Sequence, residues 1–439
     1  MKTIKDIVNN IIEFVKRPII KNSLVYTITD ALCKSMSFFL LPLVSYYVIP
    51  EELGISANFD VLQSILSLLA GQAVVNALPY FYYERSKQRM AGLVTSLFTI
   101  ILIANIAFAG AILFIFGIVE SYLQLSVGLQ LLAVVYTIVQ LLHSINAIIY
   151  RLEDKPYAFA TIQLTESVIH IVFIIILVIC CRMGALGKIY SSVGGYLLFA
   201  FINIYLLCKR GYFAKKPNFS SIKELLNFGI PLLPHSLSFW IKSGVDKILL
   251  TTYCGLAVNG LYSMAMSFGA IYTLCNNSFM MAFTPYLQKR LSLMTKGTEN
   301  KEKRMIVSMI YKIYIFFVAL YFVIVIFCKY IITYFLSEEY NESFSFIPWI
   351  MASLTIYAFY NLVIQFPYTV KKTGGLGVIT FCGSILQLLL TFGSIQIWGQ
   401  DGIKYSLVIG SLLIMLGVWW YSNKVYPLPW FNILKKDET

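Results

Sequence analysis

The sequence predicts an all-α integral membrane protein of about 12 transmembrane helices, arranged as two six-helix lobes. Three observations carry that expectation. Of 439 residues, 59% are hydrophobic and only 13% charged, with a mean hydropathy of +0.76, more apolar than a soluble domain can enclose. The apolar residues fall in blocks of about 20 or more, the length a helix needs to cross a hydrocarbon core of about 30 Å. Lys and Arg collect in alternate short breaks between the blocks, the asymmetry that sets orientation in a bilayer.

Ahead of the first block, Ile4, Ile7, Val8, Ile11, Ile12 and Val15 recur at helical spacing opposite Lys2, Asp6, Asn9, Asn10 and Glu13, which predicts a helix lying in the interface. No small-residue cleavage site follows the apolar run that starts near Leu24, so this is not read as a cleavable signal. Spanning helices are expected at 23–48, 55–79, 91–117, 122–150, 157–181, 186–208, 225–251, 256–286, 306–336, 344–370, 375–397 and 402–422. Residues 209–223 form the longest polar break near the middle. They are read as a cytoplasmic linker between an N-terminal lobe (1–208) and a C-terminal lobe (224–439).

The basic loops 85–89, 151–155, 209–223, 289–304 and 371–372 and both tails fall on one side. The other side holds Arg182, Lys188, Lys329 and Lys404 and the acidic residues Glu51, Glu52, Glu120, Glu338, Glu339 and Glu342. Both termini are therefore expected in the cytoplasm, in a bacterial inner membrane. Gly54 opens the second helix and Pro79-Tyr80 closes it, while Gly260 and Pro285-Tyr286 do the same for the eighth. Glu84-Arg85 and Lys289-Arg290 then follow at matching places. Both helices run outside to inside, which predicts parallel repeats; chance agreement of common punctuation residues is the alternative.

The net charge of +13 is scattered over short loops and forms no continuous basic face, so nucleic acid is not an expected partner. Eight cysteines (Cys33, Cys180, Cys181, Cys208, Cys254, Cys275, Cys328, Cys382) show no C-x-x-C and no metal spacing. No nucleophile–base constellation, P-loop or dinucleotide fingerprint occurs. Neither an enzyme nor a cofactor is expected.

Ionisable residues inside spans are the informative ones, because each costs about 2.5 to 3.5 kcal/mol at the bilayer centre. Helix 1 carries Asp30 and Lys34, helix 5 Glu166 and His170, and helix 7 Lys242, Asp246 and Lys247, each with an i, i+4 pair. Local neutralisation within a helix is the plain alternative, above all for Glu166 with His170. Helix 7, however, has two cations against one anion, and Lys34 sits at similar depth on the equivalent helix of the other half. A cationic cavity between the halves is the expectation, and such a cavity suits phosphate.

Ser56, Asp60, Gln63, Ser67 and Gly71 make a small and polar stripe on helix 2, read as a water-facing wall because of Asp60. The stripe Asn259, Ser263, Ser267, Ala270 and Asn277 on helix 8 is read as helix packing. Pro231 and Pro234 fall in the first turns of helix 7 and suggest a hinge. His143 and His235 are read as packing residues.

The segment FGIPLLPHSLSFWIKSGVDKILLTTYCGLAVNGLYSMAMSF, followed by MMAFTPYLQKR, resembles the Wzx-type O-antigen and capsular polysaccharide repeat-unit flippases. Pro231, Pro234, the Asp246-Lys247 pair, Gly255, Gly260-Leu261-Tyr262-Ser263 and Pro285 carry the likeness, together with chain length and Glu338-Glu339-Tyr340. The resemblance implies a fold related to the multidrug (MATE-like) and lipid II exporters. It also implies an undecaprenyl-pyrophosphate-linked oligosaccharide as cargo, with membrane lipid around it and a polysaccharide polymerase and a chain-length regulator as candidate partners. The pyrophosphate matches the charge that Lys34, Lys242 and Lys247 call for, with Asp60 towards sugar. Asp30, Asp246, Glu166 and His170 are candidates for cation coupling. The rivals are a multidrug or cation antiporter, disfavoured by excess mid-membrane lysine; a lipid II flippase, for which fourteen helices are expected; and a membrane glycosyltransferase or polymerase, disfavoured by short acidic outer loops.

Overall fold

Hydrocarbon offers no partner for backbone N–H and C=O groups, so a chain crossing it satisfies them within each segment. Accordingly, every regular element in the computed structural model is a helix among the described residues, which are 18–83, 85–292, 299–370, 372 and 374–431. The predicted interfacial helix falls outside them, as do Glu84 and Lys371 of the basic loops.

The helices are α1 (Pro18–Ser45), α2 (Pro50–Tyr82), α3 (Lys87–Leu123), α4 (Val127–Leu152), α5 (Pro156–Cys180) and α6 (Gly184–Lys209). Next come a short α7 (Phe219–Gly229), α8 (Leu233–Cys254), α9 (Leu256–Ser292) and α10 (Glu299–Phe335). The chain ends in α11 (Ile347–Thr369), α12 (Gly374–Trp398) and α13 (Gln400–Val425). Ten of these are long and apolar enough to cross a membrane. The twelve expected spans also include α8 and α9. α8 concentrates Lys242, Asp246 and Lys247 in little more than one turn, and α9 mixes Asn, Ser and Thr into its length and ends on Lys289 and Arg290.

The single helix predicted over 225–251 is two. α7 stops at Gly229, a 3₁₀ turn spans Ile230–Leu232, and α8 begins at Leu233 with Pro234 as its second residue. Pro231 and Pro234 have no N–H to donate and their rings crowd the preceding turn, so an uninterrupted helix is not available there. Asn218 caps α7 by accepting from the Ser220 amide at 2.9 Å.

By contact clustering the chain separates into two compact units, one ending at Ser236 and the other starting at Leu237. The stretch 209–223 is fastened to the first: the Ala214 amide donates to Thr95 Oγ1 (2.8 Å) and the Asn218 amide to Ser96 Oγ (2.9 Å), both on α3. α7 packs on α3 as well, and Gly229 comes so close to α2 that a methyl group on it would meet Val74 at 2.6 Å.

In the first unit α4 lies against α2, α3 and α6, while α1 and α5 pair. Its core gathers Val74, Leu93, Leu97, Ile101, Leu142, Ile145, Ile149, Leu207 and Leu225. α2 is not regular: a π-helical turn at Leu68–Gln72 contains Gly71 at φ 151°, a value glycine reaches without a Cβ clash. In the second unit α12 and α13 form a tight hairpin, with α11 against α13 and α9. Its core gathers Phe283, Leu287, Ile306, Ile310, Leu362, Phe366 and Trp430. α9 is continuous through Pro285, whereas the chain before Pro79 turns at Asn76 and Ala77, so the two repeat-matched helices differ in backbone.

Candidate functional site

In the second unit α8 carries Lys242, Asp246 and Lys247. Asp246 is buried, accepts from the Tyr262 hydroxyl of α9 at 3.4 Å, and lies within hydrogen-bonding reach of Thr391 of α12. Both lysines are in electrostatic range of that carboxylate. Lys242 is half-buried, and its ammonium stands 5.2 Å from the ring centroid of Tyr357 on α11, which stacks on Tyr360. An aromatic face beside an ammonium suits a sugar ring joined to an anionic group.

In the first unit the expected local pairs do not form. Asp30 turns to Arg151 at the end of α4, 3.4 Å away, and not to Lys34. Lys34 is exposed and has no ion pair among the described residues. His170 bonds Ser192 Oγ of α6 at 3.2 Å and not Glu166. In both cases the partner comes from a neighbouring helix, because an i, i+4 pair in an apolar span competes with better-placed groups across the helix interface.

Glu166 is half-buried on α5 with Cys33 of α1 and the hydroxyls of Tyr136 and Tyr196 in electrostatic range. It makes no hydrogen bond or ion pair among the described residues. Tyr136 is in range of Asp60 as well and stacks on Phe59.

The stripe read as a wall on α2 is mostly helix packing. Gln63 donates to Gln140 Oε1 of α4 at 2.8 Å, Ser67 reaches the same oxygen at 3.4 Å, and Ser56 points to the Ala185 carbonyl at 3.5 Å. Asp60 is the exposed exception. The outward polar face runs through Asp60, Ser64, Gln72 and Asn76, the last two hydrogen-bonded at 3.3 Å. On α9 the stripe read as packing is buried only at its start: Asn259 donates to Thr251 of α8 at 3.0 Å and Ser263 to Asn259 at 3.4 Å, whereas Ala270 and Asn277 are exposed.

A feature missed in the sequence is a polar chain through the first unit. His143 bonds Gln163 of α5, and Asn203 of α6 donates to His143 Nδ1 at 3.3 Å. Asn146 donates to Asn203 at 2.7 Å and accepts from Arg210 at 3.0 Å, and Arg210 lies 3.3 Å from Glu153. Tyr212 donates to Glu153 at 2.6 Å. Burial alone would push the Glu153 carboxyl up, but bonds from Lys155 and Tyr212 and the Arg210 charge outweigh it and hold it below its usual 4.5. His143 is thus a satisfied packing residue, as expected. The sequence signal was Asn146 one turn after His143 on the same face.

Residues 43–345 match the family described as polysaccharide biosynthesis protein. The chain belongs to the polysaccharide biosynthesis protein family. It is 21% identical over 424 residues to Lsg locus protein 1 of Haemophilus influenzae, a match that covers 93% of this chain and 98% of that one. In fold it is similar to an inward-facing multidrug MATE transporter of the MOP superfamily, with a TM-score of 0.72, 14% identity, and 89% and 94% of the two chains covered. It is similar also to the lipid II flippase MurJ in an inward closed conformation, with a TM-score of 0.71, 16% identity, and 91% and 87% covered. This member of the polysaccharide biosynthesis family therefore has the MATE-like, all-α, multi-pass membrane fold that the sequence predicted. The family match takes in Asp60, Glu166, Lys242, Asp246 and Lys247, and starts after Asp30 and Lys34.

Proposed function

We propose that this protein moves an oligosaccharide repeat unit, linked to undecaprenyl pyrophosphate, from the cytoplasmic to the periplasmic face of the bacterial inner membrane. Family membership supports a lipid-linked glycan as cargo, and the MATE-like fold supports transport by alternating access. α8 and α9 complete twelve spans in two six-helix lobes with both termini cytoplasmic. The product is O-antigen or capsule, and a polymerase and a chain-length regulator act on the delivered unit.

The observation that carries the reading is Lys242. Its ammonium stands 5.2 Å from the Tyr357 ring centroid, and α8 sets Lys242 and Lys247 against a single carboxylate, Asp246, an excess of one positive charge that suits an anionic ligand. Lys242 and Lys247 hold pyrophosphate, and in the first unit Lys34 is a further candidate for phosphate and Asp60 for sugar. A charge-assisted contact of this kind contributes about 1.5 to 3 kcal/mol. Glu166, a carboxylate with no ion pair among the described residues, is the leading group for cation coupling, with Asp30, His170 and Asp246 as further candidates.

The test is complementation of a deletion strain with Lys242→Gln, Lys247→Gln and the double variant, all at matched membrane abundance. Surface polysaccharide on a gel is read against lipid-linked saccharide extracted from spheroplasts. Lost long-chain polysaccharide with repeat units trapped on the cytoplasmic side is the expected result. Wild-type polysaccharide from the double variant overturns the lysine assignment. Unchanged polysaccharide in the deletion itself favours the multidrug or cation antiporter.

A further inference from the structure

Where four helices of the first unit end, the protein carries a cavity of about 290 Å³ lined by Tyr82, Arg85, Lys87, Met90, Glu153 and Tyr212. Tyr82 closes α2, Lys87 opens α3, Glu153 follows α4 and Tyr212 follows α6. Those helices are apolar up to these points, so the cavity lies at headgroup level. Exposed aromatic rings mark the same level: Tyr80, Tyr83 and Phe219 are open, and Tyr205 is open beneath the Lys209 ammonium at 5.8 Å.

The charge around the cavity does not balance. Arg85 pairs with Glu224, and Glu153 is shared by Lys155 (2.9 Å) and Arg210 (3.3 Å). Lys87 is exposed with no carboxylate partner among the described residues, its ammonium 5.9 Å from the Tyr212 ring centroid. Among the described residues that line the cavity, Arg85 and Lys87 therefore stand against one carboxylate, Glu153. Tyr212 gives its proton to Glu153, so Tyr82, 3.4 Å from the Tyr212 oxygen, can turn its own towards Tyr212 or towards a ligand oxygen. An exposed ammonium, a guanidinium stacked on Phe81 at 4.9 Å and a hydroxyl that can turn its proton to a ligand make a receptor for phosphate oxygens.

We propose that this cavity binds the phosphate of an anionic phospholipid in the leaflet that meets the basic loops, with Lys87 and Arg85 as its charge partners. Headgroup-level placement and the flanking aromatic rings select a lipid over free phosphate. The proposal does not rest on the transport reading. Occupancy would tie together the ends of α2, α3, α4 and α6.

The full chain in neutral detergent is titrated with short-chain phosphatidylglycerol, short-chain phosphatidylcholine or inorganic phosphate, and the thermal midpoint is followed, since a ligand that binds only the folded state raises it. Phosphatidylglycerol should raise the midpoint saturably and phosphatidylcholine should not. Lys87→Gln should require about tenfold more phosphatidylglycerol for the same shift, the loss of one charge-assisted contact, and Lys87→Arg should not. Glu224→Gln, which releases Arg85, should require less. Equal titrations for wild type and Lys87→Gln, or equal shifts from the two lipids, overturn the site. Inorganic phosphate matching phosphatidylglycerol in the wild type overturns the lipid assignment.

Discussion

Replacing Arg210 with Ala tests whether the polar chain in the first unit acts as one structure. The Arg210 side chain is 14% exposed, donates to Asn146 at 3.0 Å, lies 3.3 Å from Glu153 and covers the Tyr150 ring at 3.9 Å. Breaking a buried pair by removing one partner costs about 3 to 5 kcal/mol. Glu153 keeps Lys155 and Tyr212, which places the loss near the lower end, about 3 kcal/mol including the cation–π contact. Glu153→Gln keeps the Tyr212 bond and should cost about 1.5 kcal/mol. The double variant leaves no orphaned charge, so it should cost about 3 kcal/mol in total and not the sum, a coupling near 1.5 kcal/mol. Unfolding in mixed micelles with increasing dodecyl sulfate, followed by circular dichroism, measures all three. Additive losses, within about 0.5 kcal/mol, would show that the pair contributes nothing and that the chain is a set of unconnected contacts.

Three further outcomes follow from the same geometry. Because Glu153 titrates below 4.5 in the folded protein, its stabilisation is present above that pH and is lost as pH falls through its lowered value; the acid limb of a stability–pH profile should flatten in Glu153→Gln. A methyl group on Gly402 would press on the Ser394 carbonyl of α12, which is backbone and cannot swing aside, so Gly402→Ala should destabilise by about 1 to 3 kcal/mol and lower the thermal midpoint in detergent. Asp246→Ala leaves Lys242 and Lys247 without their shared carboxylate and empties the Tyr262 contact; the thermal midpoint should fall further than for Lys242→Gln, which removes a charge and strands none.

What was legible in the sequence follows from how each feature is encoded. Spans such as α3 and α10 are long because a bilayer imposes length, and a run of apolar residues reports that directly. The charges on α8 stood out for the same reason. The break between α7 and α8 was legible only as a hinge at Pro231 and Pro234, since residues 225–251 otherwise read as one apolar run. Partner choice was hidden altogether. Spacing puts Lys34 one turn from Asp30, yet Arg151, distant in sequence, takes the carboxylate because α1 and α5 bring the end of α4 within reach. The polar face of α2 was misplaced by helix rotation: Gln63 and Ser67 found Gln140, and the π-turn at Gly71 brought Gln72 and Asn76 round to the outer side.

The polar groups inside this membrane protein divide by how fully they are bonded. Asn146 both donates and accepts, Asn203 does the same, and Arg210 donates to Asn146 and stands against Glu153 and two tyrosine rings, although its buried Nε has no hydrogen bond among the described residues. These bonds join α4, α5 and α6 through their side chains. Glu166 is the opposite case: half-buried, ionisable and with no hydrogen bond or ion pair among the described residues, while Lys242 shares its one carboxylate, Asp246, with Lys247. A charged group left without a partner inside a span is costly to keep. If the proposed transport reading holds, the bonded chain and the two ionisable groups have separate tasks, and variants of Glu166 and Lys242 should alter transport without the loss of stability expected for Arg210→Ala.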